Sequence, residues 1–292
     1  MMFCGDYRDA HRHLDIAASL YRPEEHRDFM LRYYSHDSGV SALLYLSWAL
    51  WHRGYPDQSA TPADRALEFS RQFGQAFTLA YALWHIAAKA VLLRQIDEAG
   101  ACANECVTLA DERGLPVWAA YGRIVQGWVA AHQGDTKMGI SLISEGLARA
   151  EATGSRNCYP LYMALLTEAL ALAGKTEEGL VSIGDGLSRS ATSGEKGWDA
   201  ELYRLRGELT GRLPYPDPAR AEESFRTALA IAREQGTRGY ELRAATNLSR
   251  LWAEQGRRGE ARDLLAPVYG WFTEGFETPD LKDARRLLDE LA

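Results

Sequence analysis

At 292 residues the chain exceeds the usual size of one globular core, so two domains or a repeat array is expected. Its 46% hydrophobic and 25% charged content is ordinary for a folded protein and excludes a disordered or fibrous one. A formal net charge of -7 argues against a nucleic-acid partner, because phosphate binding needs a dense Lys/Arg face.

No run of eighteen apolar residues exists, and the opening MMFCGDYRDAHRH has no apolar signal core, so a cytoplasmic protein with no membrane partner is expected. Four cysteines are too few for a disulfide scaffold. Cys102 and Cys106 stand one helical turn apart, but no His or Cys follows at zinc-site spacing, and they read as core thiols.

Taken in chain order, the first signal is Gly5 followed by Ala10, Leu14 and Ala17, a turn and then helical apolar spacing. The chain is thus expected to open on the second helix of a pair whose first helix is absent. Tyr21 to Asp37 is extra length and predicts a short additional helix. From there glycines punctuate the chain. Gly74, Gly114, Gly154, Gly194 and Gly236 stand 40, 40, 40 and 42 residues apart, each ending a helix-like run, as left-handed glycine stops do. Between them Gly54, Arg94, Gly134, Gly174 and Gly256 mark an inner turn, so each period holds two helices.

Five residues after each inner turn comes a small residue: Ser59, Ala99, Gly139, Gly179 and Ala261, with Ala221 in the fifth pair. Small side chains let helices cross closely. Pro62 falls within the second helix of the first full pair, and Pro214 and Pro216 lengthen the turn of the fifth, which makes these pairs the least regular. The final TPDLKDARRLLDELA is one amphipathic helix, N-capped by Thr278 or Asp280 with Pro279 in its first turn.

These signals predict an all-α solenoid of about six helix pairs, each of about 40 residues, because such pairs cannot bury their apolar faces without neighbours. The expected division is a leading half-repeat over 1–25, repeats over 26–74, 75–114, 115–154, 155–194, 195–236 and 237–276, and a capping helix over 278–292. The whole forms a single domain.

In NLSRLWAEQGRRGEARDLLAPVY the residues Leu248, Trp252, Gly256, Ala261, Leu265 and Val268 fall at apolar, aromatic, turn and small slots that resemble the tetratricopeptide (TPR) repeat. The usual TPR period is about 34 residues, so these helices are longer. The resemblance implies a TPR-like α–α superhelix whose first helices line a concave face. Along them run Trp48, Trp51, Tyr81, Trp84, Tyr121 and Trp128, then Glu168, Glu201, Arg204, Glu208, Arg243 and Arg250. An aromatic half therefore gives way to a charged half, as a ligand with an apolar and a polar end would require, although large side chains at helical spacing also serve as core. His85, beside Trp84, is a further candidate polar contact. A recurring aromatic, in Phe77, Trp118, Tyr159, Trp198 and Tyr240, opens each first helix and reads as a structural staple.

Chemistry is sparse. No GxxxxGK[ST], GxGxxG, HExxH, GxSxG or CxxC motif is present, and no spacing gathers three of the seven histidines with a carboxylate, so neither catalytic residue, metal nor cofactor is expected. Glu168 and Glu208 stand 40 residues apart and could meet across repeats as a carboxylate pair or be neutralised by arginine.

The stretches YSHDSGV, WALWHRGYPDQ, AELYRLRGEL, AEESFRTALAIAREQ and YGWFTEGFETPDLKDARRLLDEL resemble the C-terminal region of bacterial multidomain regulators, similar to class III adenylate/guanylate cyclases, that carry an AAA-type predicted ATPase ahead of TPR repeats. The likeness covers nearly the whole chain. The catalytic residues of that family lie upstream and have no counterpart here. The resemblance implies a non-catalytic regulatory arm that binds a protein or peptide partner, or its parent's own ATPase or cyclase domains. The alternative is a sensor of a small-molecule effector held in the aromatic groove.

Overall fold

The computed structural model describes residues 2–33 and 35–292, and no strand occurs among them. In chain order the α-helices are α1 (Tyr7–Leu20), α2 (Pro23–Tyr33), α3 (Ser38–His52), α4 (Ala60–Phe73), α5 (Ala76–Leu92), α6 (Ile96–Arg113), α7 (Pro116–His132), α8 (Thr136–Ala152), α9 (Tyr159–Leu172), α10 (Thr176–Ser193), α11 (Asp199–Gly211), α12 (Pro218–Gln235), α13 (Arg238–Glu254), α14 (Arg258–Tyr269) and α15 (Pro279–Leu291). The chain divides into two compact units. An N-terminal unit comprises Arg8–Trp51 and Asp57–Asn157, and a C-terminal unit comprises Met1–Tyr7, His52–Pro56 and Cys158–Ala292.

The punctuation acts through backbone conformation. Every glycine of both registers has positive φ, between 65° at Gly114 and 101° at Gly134, and each reverses the chain at a helix end. At the inner turn between α5 and α6 the slot holds Arg94, which adopts φ 59° despite its Cβ. The register is therefore kept by geometry even where the residue type departs from it.

Close crossing explains the small residues. In the N-terminal unit a Cβ on Gly127 of α7 would lie 2.6 Å from the Gly139 carbonyl oxygen of α8, and one on Gly139 would lie 2.6 Å from the Gly127 oxygen. Backbone meets backbone there. Ser59, Ala99, Ala221 and Ala261 are likewise buried. In the C-terminal unit Ala228, Leu248, Trp252, Leu265, Leu281 and Leu287 join α12 to α15 in one apolar cluster. Burying each large side chain contributes about 1.5–3 kcal/mol.

The extra length near the N-terminus carries α2; Tyr34, within that segment, lies outside the described residues. The YSHDSGV stretch does local structural work. Asp37 caps α3 by accepting from the Val40 N–H at 2.9 Å, and it also accepts from the Tyr21 hydroxyl at 2.8 Å. Gly39 has no Cβ because the Tyr21 ring lies against it.

Pro62 falls in the first turn of α4, where a missing N–H costs nothing, so it starts the helix rather than interrupting it. Pro214 and Pro216 lie in the connector between α11 and α12. Pro267 sits inside α14, whose 12 residues are fewer than the 18 of α12. Thr278, not Asp280, is the N-cap residue of α15, with Pro279 at its first position.

Candidate functional site

In the N-terminal unit, α3, α5 and α7 bring the aromatic candidates together. Trp48 donates from Nε1 to the His85 carbonyl at 2.9 Å. The rings of Trp48 and Trp84 are 5.8 Å apart, those of Trp84 and Tyr121 5.3 Å, and those of Tyr81 and His85 4.1 Å. Tyr121 shares a hydrogen bond of 2.5 Å with Ser155. Trp51 is buried, and Trp128, at 0% exposure, packs at a tilt against His132, ring centroids 4.0 Å apart. Most of this aromatic surface is thus spent on neighbouring side chains.

His85 is the chemically distinctive member. Its Nδ1 lies 2.8 Å from the Tyr81 carbonyl, which can only accept, so Nδ1 carries the proton and Nε2 presents a lone pair. That Nε2 is buried with no hydrogen-bond partner. Burial holds the imidazole neutral and lowers its pKa to about 3, against the opposing effect of the Tyr81 hydrogen bond. Tyr45, His36 and Trp118 complete the surroundings: Tyr45 meets His85 edge-on at 5.2 Å, His36 stacks on Tyr81 at 4.6 Å and Trp118 lies 5.3 Å from Tyr81. The staple position of Trp118 is continuous with the candidate cluster, a merging that single-helix periodicity does not reveal.

In the C-terminal unit the charged candidates Glu168, Glu201, Arg204, Glu208 and Arg243 form one ionic network. Arg204 donates to Glu201 at 2.9 and 3.0 Å and to Glu208 at 2.7 Å, with Glu168 3.9 Å away. Arg243 reaches Glu201 at 3.3 Å and Asp280 of α15 at 2.8 Å. Burial opposes the Arg204 charge, but Glu201, Glu208 and Glu168 more than restore it and hold it firmly protonated. Glu168 and Glu208 therefore share an arginine instead of facing each other as a proton-sharing pair. Removing one member of such a buried set costs about 3–5 kcal/mol, because a charge is left uncompensated.

Above this network Glu208 and Arg250 line the same groove, of about 370 Å³, between α11, α12 and α13. Gly207 and Gly211 open it; a Cβ at Gly207 would strike the Phe225 ring, which with Ala221 forms the floor, whereas nothing lies near Gly211. Arg212, Asn247 and Glu254 complete the polar rim. Arg212 pairs with Glu208, and Arg250 pairs with Asp283 of α15 at 2.8 Å. The sequence pointed to Asp280 only as a possible helix cap and did not point to Asp283, so neither was a site candidate. Their spacing of three on an amphipathic helix is the signal that pairs them with arginines of α13.

Cys106 is buried, its thiol pushed up to about 12, and burial raises Cys102 to about 11, so both remain protonated. Among the described residues no group of three or more His, Cys, Asp or Glu side chains is placed to hold a metal ion, and no helix is long and apolar enough to cross a membrane.

Antiparallel helix pairs with left-handed glycine punctuation and small residues at the crossings define a helical-repeat protein of the TPR-like class. The fold matches that of RapI in its apo form, with a TM-score of 0.62 and 14% identity over 99% of this chain and 97% of that one. It also matches Bacillus thuringiensis PlcR, solved with the peptide PapR7 and DNA, with a TM-score of 0.59 and 17% identity over 73% of this chain and 76% of that one. In sequence the chain is similar to an uncharacterized protein of Rhizobium meliloti (strain 1021), R02095, 24% identical over 253 residues. That match covers 87% of this chain but only 24% of the relative, so the chain spans about a quarter of its relative's length. No protein-family model matches the chain.

Proposed function

We propose that the chain is a non-catalytic binding arm that recognises a protein or peptide partner through the first-helix side of its repeats. The observation that carries this reading is the groove lined by Glu208, Arg212, Asn247, Arg250 and Glu254. Its rim is polar, its floor is apolar, and its walls α11 and α13 are joined by the buried Glu201–Arg243 ion pair, the preorganisation that lowers the entropic cost of binding. PlcR, solved with a peptide bound, supports this reading by analogy of fold. The resemblance to cyclase- and ATPase-type regulators, together with a relative about four times as long, supports a place beside further domains in a signalling protein.

A peptide library displayed on phage and selected against the chain tests the proposal. Selected peptides should bind Arg250→Glu and Glu254→Lys variants at least tenfold more weakly, with helical circular dichroism unchanged. Equal binding by the variants removes the groove from the argument, and failure to enrich any peptide over an unrelated helical bundle removes the binding arm.

The small-molecule reading rests on a different observation, the buried Nε2 lone pair of His85 within a ring of aromatic side chains. A thermal-shift screen of hydrogen-bond-donating metabolites addresses it, and a true hit is lost in His85→Phe.

A further inference from the structure

The groove between α11, α12 and α13 lies where two first helices end. Gly207, Glu208 and Gly211 come from the last turns of α11, and Asn247, Arg250 and Glu254 from the C-terminal half of α13. The negative ends of both helix dipoles therefore converge on it, and neither helix carries a basic residue in its last turn. In the N-terminal unit the first helices α5 and α7 do carry one, Lys89 and His132.

The cations beside the groove are already matched. Arg212 pairs with Glu208, which also takes Arg204, and Arg250 pairs with Asp283 at 2.8 Å. Beyond Glu254 in sequence, Arg257 is held by Glu222 and Glu260, and Arg258 by the Glu290 carbonyl. Glu254 itself is exposed, and among the described residues it makes no ion pair or side-chain hydrogen bond. It is the last residue of α13, where a carboxylate opposes the helix dipole, so the stability of that helix does not account for it.

We propose that the groove takes a lysine or arginine side chain of the partner, with its charged head at Glu254 and its aliphatic stem on Phe225 and Leu251. The assignment rests on the groove being the peptide site. A long basic side chain suits both surfaces at once, since its methylenes lie along apolar surface while the head stays in water. With its charge met by Asp283, Arg250 offers its remaining N–H groups to the partner's backbone carbonyl oxygens.

Peptides selected on the full chain from a random phage library, and then synthesised, test the proposal. Each binder should carry a Lys or Arg whose replacement by norleucine, which keeps an aliphatic stem, weakens binding about three- to tenfold. On Glu254→Gln the same replacement should weaken binding by a smaller factor. Equal factors on the two chains, or binders without a basic residue, overturn the proposal. Gly211→Phe separates that failure from failure of the groove, because no atom lies within 4 Å of where its Cβ would be and the ring fills the groove without changing its charge. Binders that lack a basic residue but are lost in Gly211→Phe leave the groove as the peptide site and remove only its preference for a cation. Binders that survive Gly211→Phe, like a library that enriches nothing, remove both. The free Glu254→Gln chain should unfold at a higher urea concentration than the unaltered one; a lower midpoint shows Glu254 to be structural and overturns the assignment.

Discussion

Arg94 occupies a glycine position without being a glycine. A residue with a Cβ at positive φ costs about 1–2 kcal/mol, and glycine returns part of that gain through the greater freedom of its unfolded chain. Arg94→Gly should raise the urea midpoint by the equivalent of about 0.5–1 kcal/mol; a lower midpoint would show that the contacts of the arginine side chain outweigh the strain. His85 makes a second residue-scale prediction. Its pKa falls from an ordinary 6.5 to about 3 on folding, so the unfolded chain binds the proton more tightly, and stability is complete above 6.5 and drains away as pH falls toward 3. The cost approaches about 1.4 kcal/mol per pH unit in that window. Burial lowers His52 in the same direction. Denaturant titrations at pH 7 and pH 5 should show a smaller loss in His85→Gln than in the unaltered chain, and equal losses would place the proton uptake elsewhere.

Helices and their turns were legible in the sequence because glycine punctuation and apolar spacing are local properties. Their crossings were legible only as a need for small residues. Gly127 and Gly184 separate the two kinds of information. Both are helical glycines, but Gly127 faces the backbone of α8, while Gly184 on α10 has open space around it. Gly127→Ala should therefore destabilise by about 1–3 kcal/mol through overpacking, whereas Gly184→Ala should stabilise by about 0.5–1 kcal/mol through helix propensity. Opposite shifts in the denaturation midpoint check the pair. Sequence spacing also overstated Pro62, since a proline in a first turn has no hydrogen bond to lose.

The units do not follow chain order. The C-terminal unit takes Met1–Tyr7 and His52–Pro56 from the front of the sequence, and Tyr7 donates to the Gly197 carbonyl at 2.8 Å while His52 bonds Thr237. A fragment of residues 158–292 lacks both side chains and leaves the surfaces of Trp198 and Tyr240 that His52 covers open to water. It should melt well below the full chain and bind a hydrophobic dye; a fragment as stable as the full chain and dye-silent would show that these segments contribute nothing. Such non-local contacts cost loop-closure entropy before they stabilise, and no window of sequence short enough to show periodicity contains both partners.

The sequence by itself determined the all-helical class, the position of the turns and the change from aromatic to charged residues along the first helices, because each depends on residues within a few turns of one another. Tertiary structure decided which of those residues meet. It spent much of the aromatic surface on packing, gave Glu168 and Glu208 one shared arginine and brought Glu208 and Arg250 to one groove. Burial and partner identity are properties of the folded surroundings, and the same side chain becomes core, ion pair or rim according to what the rest of the chain places beside it.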